Sequence, residues 1–224
     1  MPETLLPIFP LPNVVFFPKI VLPLHIFEPR YKHMVREVLQ SERSLGLVLL
    51  QAGWQSDYFG SPSVHKIGCM GKIETYEKLP EGRFNILLNG VRRFEIVRFV
   101  QERPYRLAAV RLLEEKPFLL ENYQQQRARE DLMEKFQTYL QHVLGMELND
   151  DRFDRSASLE TVVNQVAAVL DISVQTKQEL LEVSSMDKRL SQVRAILDQG
   201  LNHADKLGQV VRKMRFIPET PELN

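Results

Sequence analysis

The sequence predicts an α+β protein: a β-rich N-terminal lobe, built as a partly open coiled sheet or barrel with one helix, followed by an α-helical bundle. Apolar residues recur with a period of two, or in short runs between Gly and Pro, up to about residue 112, and with a helical period after it. Residues 1–112 carry 15 Lys and Arg against 10 Asp and Glu, whereas residues 113–224 carry 14 against 19. The halves therefore differ in pattern and in sign of charge, and we predict two subdomains, 1–115 and 116–224.

The opening stretch LPIFPLPNVVFFPKIVLPLHIFEPRY, residues 6–31, combines prolines with bulky apolar side chains. Seven of the 13 prolines lie in the first 29 residues, and each lacks a backbone N–H, so no regular central strand is expected here. The stretch is nevertheless too apolar for a solvated tail. We predict short edge-strand pieces near 5–9 and 22–27, joined by an extended loop, and then a helix over 29–40 that begins at Pro29.

Further strand segments follow at intervals of about ten residues. LGLVLL (45–50) is a short apolar run, and HKIGCMGKIETYE (65–77) contains glycines at which a curved sheet can bend. RFNILLNGVRRFEIVRFV (83–100) is interpreted as a hairpin that turns at Asn89-Gly90, and YRLAAVRLLE (105–114) is the last strand segment. Short strands with one inserted helix indicate a strongly coiled sheet or a partly open barrel.

Four helices are expected after the proline-marked join KPFLLENYQQQ. They are a helix of about 120–144 that ends at Gly145, a helix over 156–171 with Ser158 as N-cap, a short helix over 176–183, and a helix from near Asp187 to Pro218. None of them is apolar all round, which favours a bundle with a solvated outer face.

The composition excludes several functional classes. The formal net charge is zero, so no global field attracts nucleic acid or an anionic membrane. A single cysteine, Cys69, excludes an internal disulfide framework and a multi-cysteine zinc site, and favours a reducing compartment. The opening stretch lacks the features of a secretory signal, and no run of about 18 apolar residues is present. We therefore expect a cytoplasmic protein without a membrane segment.

The polar residues predict no catalytic or metal centre, and we expect no cofactor. The five histidines (His25, His33, His65, His142 and His203) are scattered without ligand spacing. His25 is expected to be a hydrogen-bonded structural residue, and Cys69 a small buried residue rather than a nucleophile. Glu28 and Arg30 could contact a ligand, but a local ion pair or backbone bond at the helix start is favoured.

Several stretches carry a family resemblance. LPIFPLPNVVFFPKIVLPLHIFEPRYKHMV (6–35) resembles the opening signature of the N-terminal domain of ATP-dependent Lon proteases, and GRFNILLNGVRRFEI (82–96) resembles a later strand pair of that domain. QVAAVLDISVQTKQELLE and KRL in the helical half are also similar, so the resemblance covers about residues 5–215. It implies a PUA-like β-rich lobe and a helix bundle that take part in recognising protein substrates and in assembly.

The resemblance does not extend to catalysis. No G-x-x-x-x-G-K-[ST] phosphate-binding motif occurs in the sequence, and the Ser–Lys peptidase chemistry of the family resides in a separate C-terminal domain. We therefore expect a stand-alone, non-catalytic module that binds polypeptide clients, or a separate protease or chaperone, as an adaptor in protein quality control. The sequence leaves the oligomeric state open.

Two aromatic segments are the candidate peptide-binding sites. Their residues are Phe16, Phe17 and Ile20 in the proline-rich loop, and Trp54, Tyr58 and Phe59 in GWQSDYFG. Exposed aromatic side chains in such segments would form an apolar patch suited to unfolded chains. The alternative, that Phe16 and Trp54 plug the ends of the barrel, stays open.

A second candidate function, RNA binding, depends on four arginines of the PUA-like lobe: Arg92, Arg93, Arg98 and Arg106. Arginine contacts phosphate groups and stacks on bases. Glu95 and Glu102 interrupt this basic run, and such mixed charge is typical of a solvated sheet face. RNA is therefore the alternative partner and polypeptide the preferred one.

Overall fold

The computed structural model describes residues 3–57, 60–145 and 156–215, and within these ranges it contains one six-stranded sheet and five α-helices. The strands are β1 (Thr4–Leu11), β2 (Val21–Ile26), β3 (Ser44–Leu49), β4 (Ile67–Lys78), β5 (Phe84–Gln101) and β6 (Arg106–Leu112). The helices are α1 (Pro29–Val38), α2 (Asn122–His142), α3 (Leu159–Val169), α4 (Val174–Glu182) and α5 (Met186–Arg215). All six strands precede α2, which confirms the predicted α+β class.

The sheet closes on itself through β5. The strand order is β2-β5-β4-β3-β1-β6, and β5 also pairs with β6. β5 has 18 residues, so one of its edges can pair with β2 along Phe84–Asn89 and with β6 along Phe94–Gln101, while β4 occupies the other edge. Five strands therefore form a closed barrel, and β2 is an edge strand attached to the first half of β5.

β5 is one continuous strand, so the predicted hairpin at Asn89-Gly90 is wrong. The Lys19 N–H donates to Gly90 O at 2.7 Å, and the Gly90 N–H donates to Ile20 O at 2.8 Å. A Cβ atom at position 90 would lie only 2.2 Å from the carbonyl oxygen of Phe17. The glycine thus permits close approach of the proline-rich loop to the strand and is not needed for a turn.

β1 is paired on both sides, although its prolines predict an edge strand and no regular central strand. Residues Thr4–Ile8 pair with β6, and residues Ile8–Leu11 pair with β3. Because the partner changes at Ile8, Pro7 lies before the β3 register and Pro10 lies beyond the β6 register. Each proline therefore sits where one of the two partners is missing, and a lost N–H costs little there.

α1 begins at Pro29, as predicted, with Glu28 as N-cap. The Glu28 carboxylate lies 3.0 Å from the Arg30 guanidinium, so the predicted local ion pair is present. The apolar stripe of α1 is buried in the barrel core through Tyr31, Met34, Val35 and Val38. Helix α1 therefore belongs to the β-rich half and covers part of the barrel.

Helices α2, α3 and α5 supply most of a second apolar core, to which Val15, Phe17 and Leu49 of the β-rich half also contribute. Ser158 caps α3, since its hydroxyl accepts the Thr161 N–H at 3.2 Å, as predicted. Gly145, with φ of 63°, follows the end of α2. The predicted end of the last helix at Pro218 lies outside the described residues.

Two buried arginines join the barrel to the bundle. Arg93 of β5 donates to the Glu115 carboxylate and to the carbonyl oxygen of Leu181 at 3.0 Å. Arg189 of α5 lies 3.3 Å from the same carboxylate and donates to the carbonyl oxygen of Val183 at 2.6 Å. The C-terminal end of α4 therefore receives two cations, as the helix dipole and its unpaired carbonyls favour. This network links the two sides of the boundary at residue 115. The division into subdomains 1–115 and 116–224 stays a prediction.

Candidate functional site

Exposed apolar side chains concentrate on and beside three neighbouring strands of the sheet. Eleven large hydrophobic residues are exposed within the described part of the chain, and five of them lie on or directly beside β2, β4 and the first half of β5. These five are Val21, Phe27, Tyr76, Leu87 and Val91. A local excess of exposed apolar side chains is typical of an interaction site.

A groove of about 550 Å³ lies on these strands, and we name it the β2–β5–β4 groove after the strands that line it. Its lining residues form three cross-strand rows, Pro23–Leu87–Thr75, Leu24–Ile86–Tyr76 and His25–Asn85–Glu77. Because side chains alternate along a strand, the first and third rows face the groove, whereas Leu24 and Ile86 of the middle row face the barrel core and contribute mainly their backbone. Three strands about 4.8 Å apart and three residues of about 3.3 Å each give a footprint of about 10 Å by 10 Å. The groove therefore has room for about three residues of an extended chain and is too small for a folded domain.

The third row is a chain of hydrogen bonds across the three strands. The Asn85 amide nitrogen donates to Glu77 Oε2 at 3.1 Å, and Asn85 Oδ1 lies 2.8 Å from His25 Nδ1. The Phe27 ring stacks on the His25 ring with a centroid distance of 6.0 Å and an interplanar angle of 23°. The groove thus combines apolar side chains with a few convergent polar groups, as ligand sites do.

The outer edge of β2 lies beside the groove, and no other described strand pairs with it. Because the Gly90 N–H donates to Ile20 O, alternate residues from Ile20 onward direct their N–H groups towards β5. Pro23 is one of the intervening residues, whose backbone groups face the free edge, so this edge lacks one N–H donor. This disfavours addition of a further strand, and side-chain contacts are the more accessible mode of binding.

The model of the ATP-dependent protease La (LON) substrate-binding domain matches residues 5–199. The chain belongs to the Lon substrate-binding domain family. The resemblance inferred from the opening proline signature and the later strand is therefore confirmed.

Full-length Lon proteases are similar to this Lon domain over nearly all of its length. The Lon protease of Desulfosudis oleivorans is 25% identical over 217 residues, which cover 95% of this chain and 26% of the relative. That of Flavobacterium johnsoniae is 26% identical over 213 residues, which cover 94% and 26%. The chain thus spans about a quarter of the length of the curated relatives it matches.

Solved structures of Lon N-terminal domains share the fold. A Lon N-terminal domain protein from Xanthomonas campestris is 25% identical with a TM-score of 0.59, over 86% of this chain and 98% of that chain. The N-terminal domain of the Mycobacterium avium complex Lon protease is 14% identical with a TM-score of 0.63, over 87% and 98%. These likenesses agree with the strand and helix arrangement described above.

The aromatic residues of the proline-rich loop are enclosed in this Lon domain. Phe16 lies in the barrel core, Phe17 lies in the core shared with the helices, and Ile20 packs partly against both. The loop runs between barrel and bundle, so adjacent side chains enter different cores, and the expected exposure of Phe16 and Phe17 is wrong. Trp54 is half-buried in a short 3₁₀ helix. Tyr58 and Phe59 lie outside the described residues.

The four arginines considered for RNA do not form one surface. Arg93 and Arg106 are buried. Arg93 donates to the carbonyl oxygen of Leu181 at the barrel–bundle junction, and Arg106 donates to the carbonyl oxygen of Pro62 at 2.7 Å. Arg92 and Arg98 are exposed, and Arg98 forms an ion pair with Glu3. Two exposed arginines, one of them paired with a carboxylate, do not make a phosphate-binding track.

Neither a metal cluster nor a reactive thiol is found among the described residues. They contain no cluster of three or more His, Cys, Asp or Glu side chains that could hold a metal ion. Cys69 is buried, and desolvation raises the pKa of its thiol far above the ordinary value, which opposes formation of a nucleophilic thiolate. No helix in the described ranges is both long and apolar enough to cross a bilayer.

Sequence reasoning missed the groove residues. One signal was present: Leu87 is an apolar residue on the opposite side of the strand from Phe84, Ile86 and Leu88, which are buried. The predicted hydrogen bond of His25 is confirmed by its contact with Asn85. The groove itself depends on the pairing of β2 with β5 across about 60 residues, for which the local pattern has no signature.

Proposed function

We propose that this Lon domain binds short apolar segments of polypeptide substrates in the β2–β5–β4 groove. The observation that carries the proposal is the concentration of exposed apolar side chains around that groove, in a member of a substrate-binding domain family. The names of its relatives associate the family with proteolysis. The occupant would be an extended segment of about three residues, as the footprint allows.

Binding at one groove should be weak. Full burial of a Leu or Phe side chain contributes about 1.5–3 kcal/mol, and Leu87 and Phe27 are only 39% and 60% exposed in the free chain. About 1 kcal/mol for each of four apolar side chains gives about 4 kcal/mol before the cost of association is subtracted, so the Kd of one groove should be about 1 mM or weaker. Unfolded clients would therefore be held through several apolar segments or several domains at once.

Weak, non-catalytic capture suits an adaptor. A folded client hides its apolar segments, whereas an unfolded one presents many, so avidity selects unfolded chains. We propose that the chain acts in the cytoplasm without enzymatic activity and delivers such clients to a separate protease or chaperone. Degradation of an unfolded substrate by a purified Lon protease should then be faster in its presence, and an unchanged rate would contradict the adaptor role.

The groove is tested with a matched pair of variants on the same strand. Leu87 in the groove is 39% exposed, and Val97 in the other half of β5 is 40% exposed. In an NMR titration with a peptide that contains Val-Leu-Phe, wild type and Val97→Asp should show saturable shifts in β2, β4 and β5. Leu87→Asp should lose them, because its carboxylate cannot be desolvated against an apolar segment. Absence of saturable shifts in wild type, or equal weakening by both variants, would refute the proposed site.

A further inference from the structure

The orientation of the Asn85 amide follows from its two neighbours. Its nitrogen lies 3.1 Å from Glu77 Oε2, and an ionised carboxylate can only accept hydrogen bonds. The NH₂ group of Asn85 must therefore face Glu77, which leaves Oδ1 facing His25 Nδ1 at 2.8 Å. Since that oxygen can only accept, the proton of the neutral imidazole lies on Nδ1 of His25.

The tautomer determines what the other ring nitrogen can do. A neutral imidazole carries one N–H, so Nε2 of His25 is a hydrogen-bond acceptor. Within the described ranges, the side-chain hydrogen bond of His25 is made by Nδ1, and His25 is an exposed residue of the groove lining. Stacking on Phe27 holds the plane of the ring. Glu77, Asn85 and His25 thus present one oriented acceptor among apolar side chains.

We propose that His25 is a specificity-determining residue of the β2–β5–β4 groove, whose Nε2 accepts a main-chain N–H of the bound extended segment; this rests on the proposed function. A segment that offers an amide N–H between apolar side chains satisfies both features of the site. A segment with proline or a carboxylate at that point does not, because proline lacks the donor and a carboxylate adds a second acceptor beside Glu77. The groove therefore selects apolar segments with a free backbone donor.

The tautomer is measured in the free, full-length chain, independently of any peptide. Long-range ¹H–¹⁵N spectra of histidine-labelled protein at pH 8 should show a protonated Nδ1 and an unprotonated Nε2 for His25, assigned with a His25→Gln variant. Asn85→Leu should abolish the fixed Nδ1–H tautomer, because it removes the acceptor. A protonated Nε2 in the wild type would overturn the inference whatever the peptide data show.

The ligand role is measured with the Val-Leu-Phe peptide and a series methylated at one backbone nitrogen at a time. His25→Phe keeps a ring but removes the acceptor, and should weaken binding about three- to tenfold, the effect of one neutral hydrogen bond. His25→Gln should restore much of the affinity, since its side-chain oxygen can accept a hydrogen bond in the same region. Methylation of the peptide at one backbone nitrogen should weaken its binding to wild type but not to His25→Phe. Equal affinity of wild type and His25→Phe would overturn the ligand role. Absence of any binding to wild type would instead refute the proposed function, while the tautomer would still be known.

Discussion

Glu115→Gln tests whether the barrel and the bundle depend on one shared carboxylate. Glu115 is bound by Arg93 and Arg189, whose side chains are 1% and 0% exposed. Burial lowers the pKa of Arg189, and the negative charge of Glu115 opposes this shift, so the carboxylate stabilises the charged guanidinium. Glutamine preserves the shape of the side chain but leaves both buried cations without their shared counter-charge.

The loss of unfolding free energy in Glu115→Gln can be estimated from the hydrogen bonds that the two arginines keep. Removal of one partner from a buried ion pair costs about 3–5 kcal/mol. Arg93 keeps the carbonyl of Leu181 at 3.0 Å, and Arg189 keeps that of Val183 at 2.6 Å, so the lower end applies and we expect about 3 kcal/mol. With a urea m-value of about 2–3 kcal/mol per M, the midpoint of unfolding should fall by about 1–1.5 M.

Two optical probes separate the halves of the molecule in this assay. Circular dichroism at the helix band mainly follows the bundle, and the fluorescence of the single tryptophan, Trp54, follows the β-rich half. The matched control is Glu114→Gln at the adjacent exposed carboxylate, which should change stability by less than about 0.5 kcal/mol. A midpoint shift of less than about 0.3 M for Glu115→Gln, or equal shifts for both variants, would refute the assigned role of the network.

Three further predictions concern single positions. Gly90→Ala should destabilise the fold by about 1–3 kcal/mol, because its Cβ would meet the carbonyl oxygen of Phe17 at 2.2 Å. Urea unfolding measures this against the control Val91→Ala at an exposed position, and equal loss of stability in both variants would contradict the prediction. The raised pKa of Cys69 keeps the buried thiol protonated, so Ellman's reagent at pH 8 should detect no thiol in the native chain and one after denaturation. Ser158→Ala should cost about 1 kcal/mol by loss of the α3 cap, whereas Ser158→Thr should cost much less; an unchanged midpoint for the alanine variant would show that the cap is dispensable.

The elements with a local cause were predictable. Pro29 and the apolar stripe after it indicate α1, and Ser158 before a periodic apolar run indicates α3, because caps and periodicity act within one or two turns. Asn89-Gly90 carries the same local signature as a hairpin turn, yet it lies within a continuous strand. The competing cause is tertiary, since the proline-rich loop approaches Gly90 too closely for any side chain.

The candidate site was less predictable than the fold. Aromatic residues in a proline-rich loop suggest an exposed patch, but Phe16 and Phe17 enter two different cores because the loop lies between barrel and bundle. The groove instead joins β2, β5 and β4, and its polar row joins residues up to 60 positions apart in sequence. No short-range pattern encodes which strands become neighbours.

By itself, the sequence determined the α+β class, most element boundaries and membership of the Lon substrate-binding domain family, because periodicity, caps and proline spacing are local properties of the chain. The tertiary structure decided which apolar side chains are enclosed and which remain in water, because burial depends on strand order and on the packing of the barrel against the bundle. The same dependence brings Glu77, Asn85 and His25 into one row, and so creates the oriented acceptor of the groove.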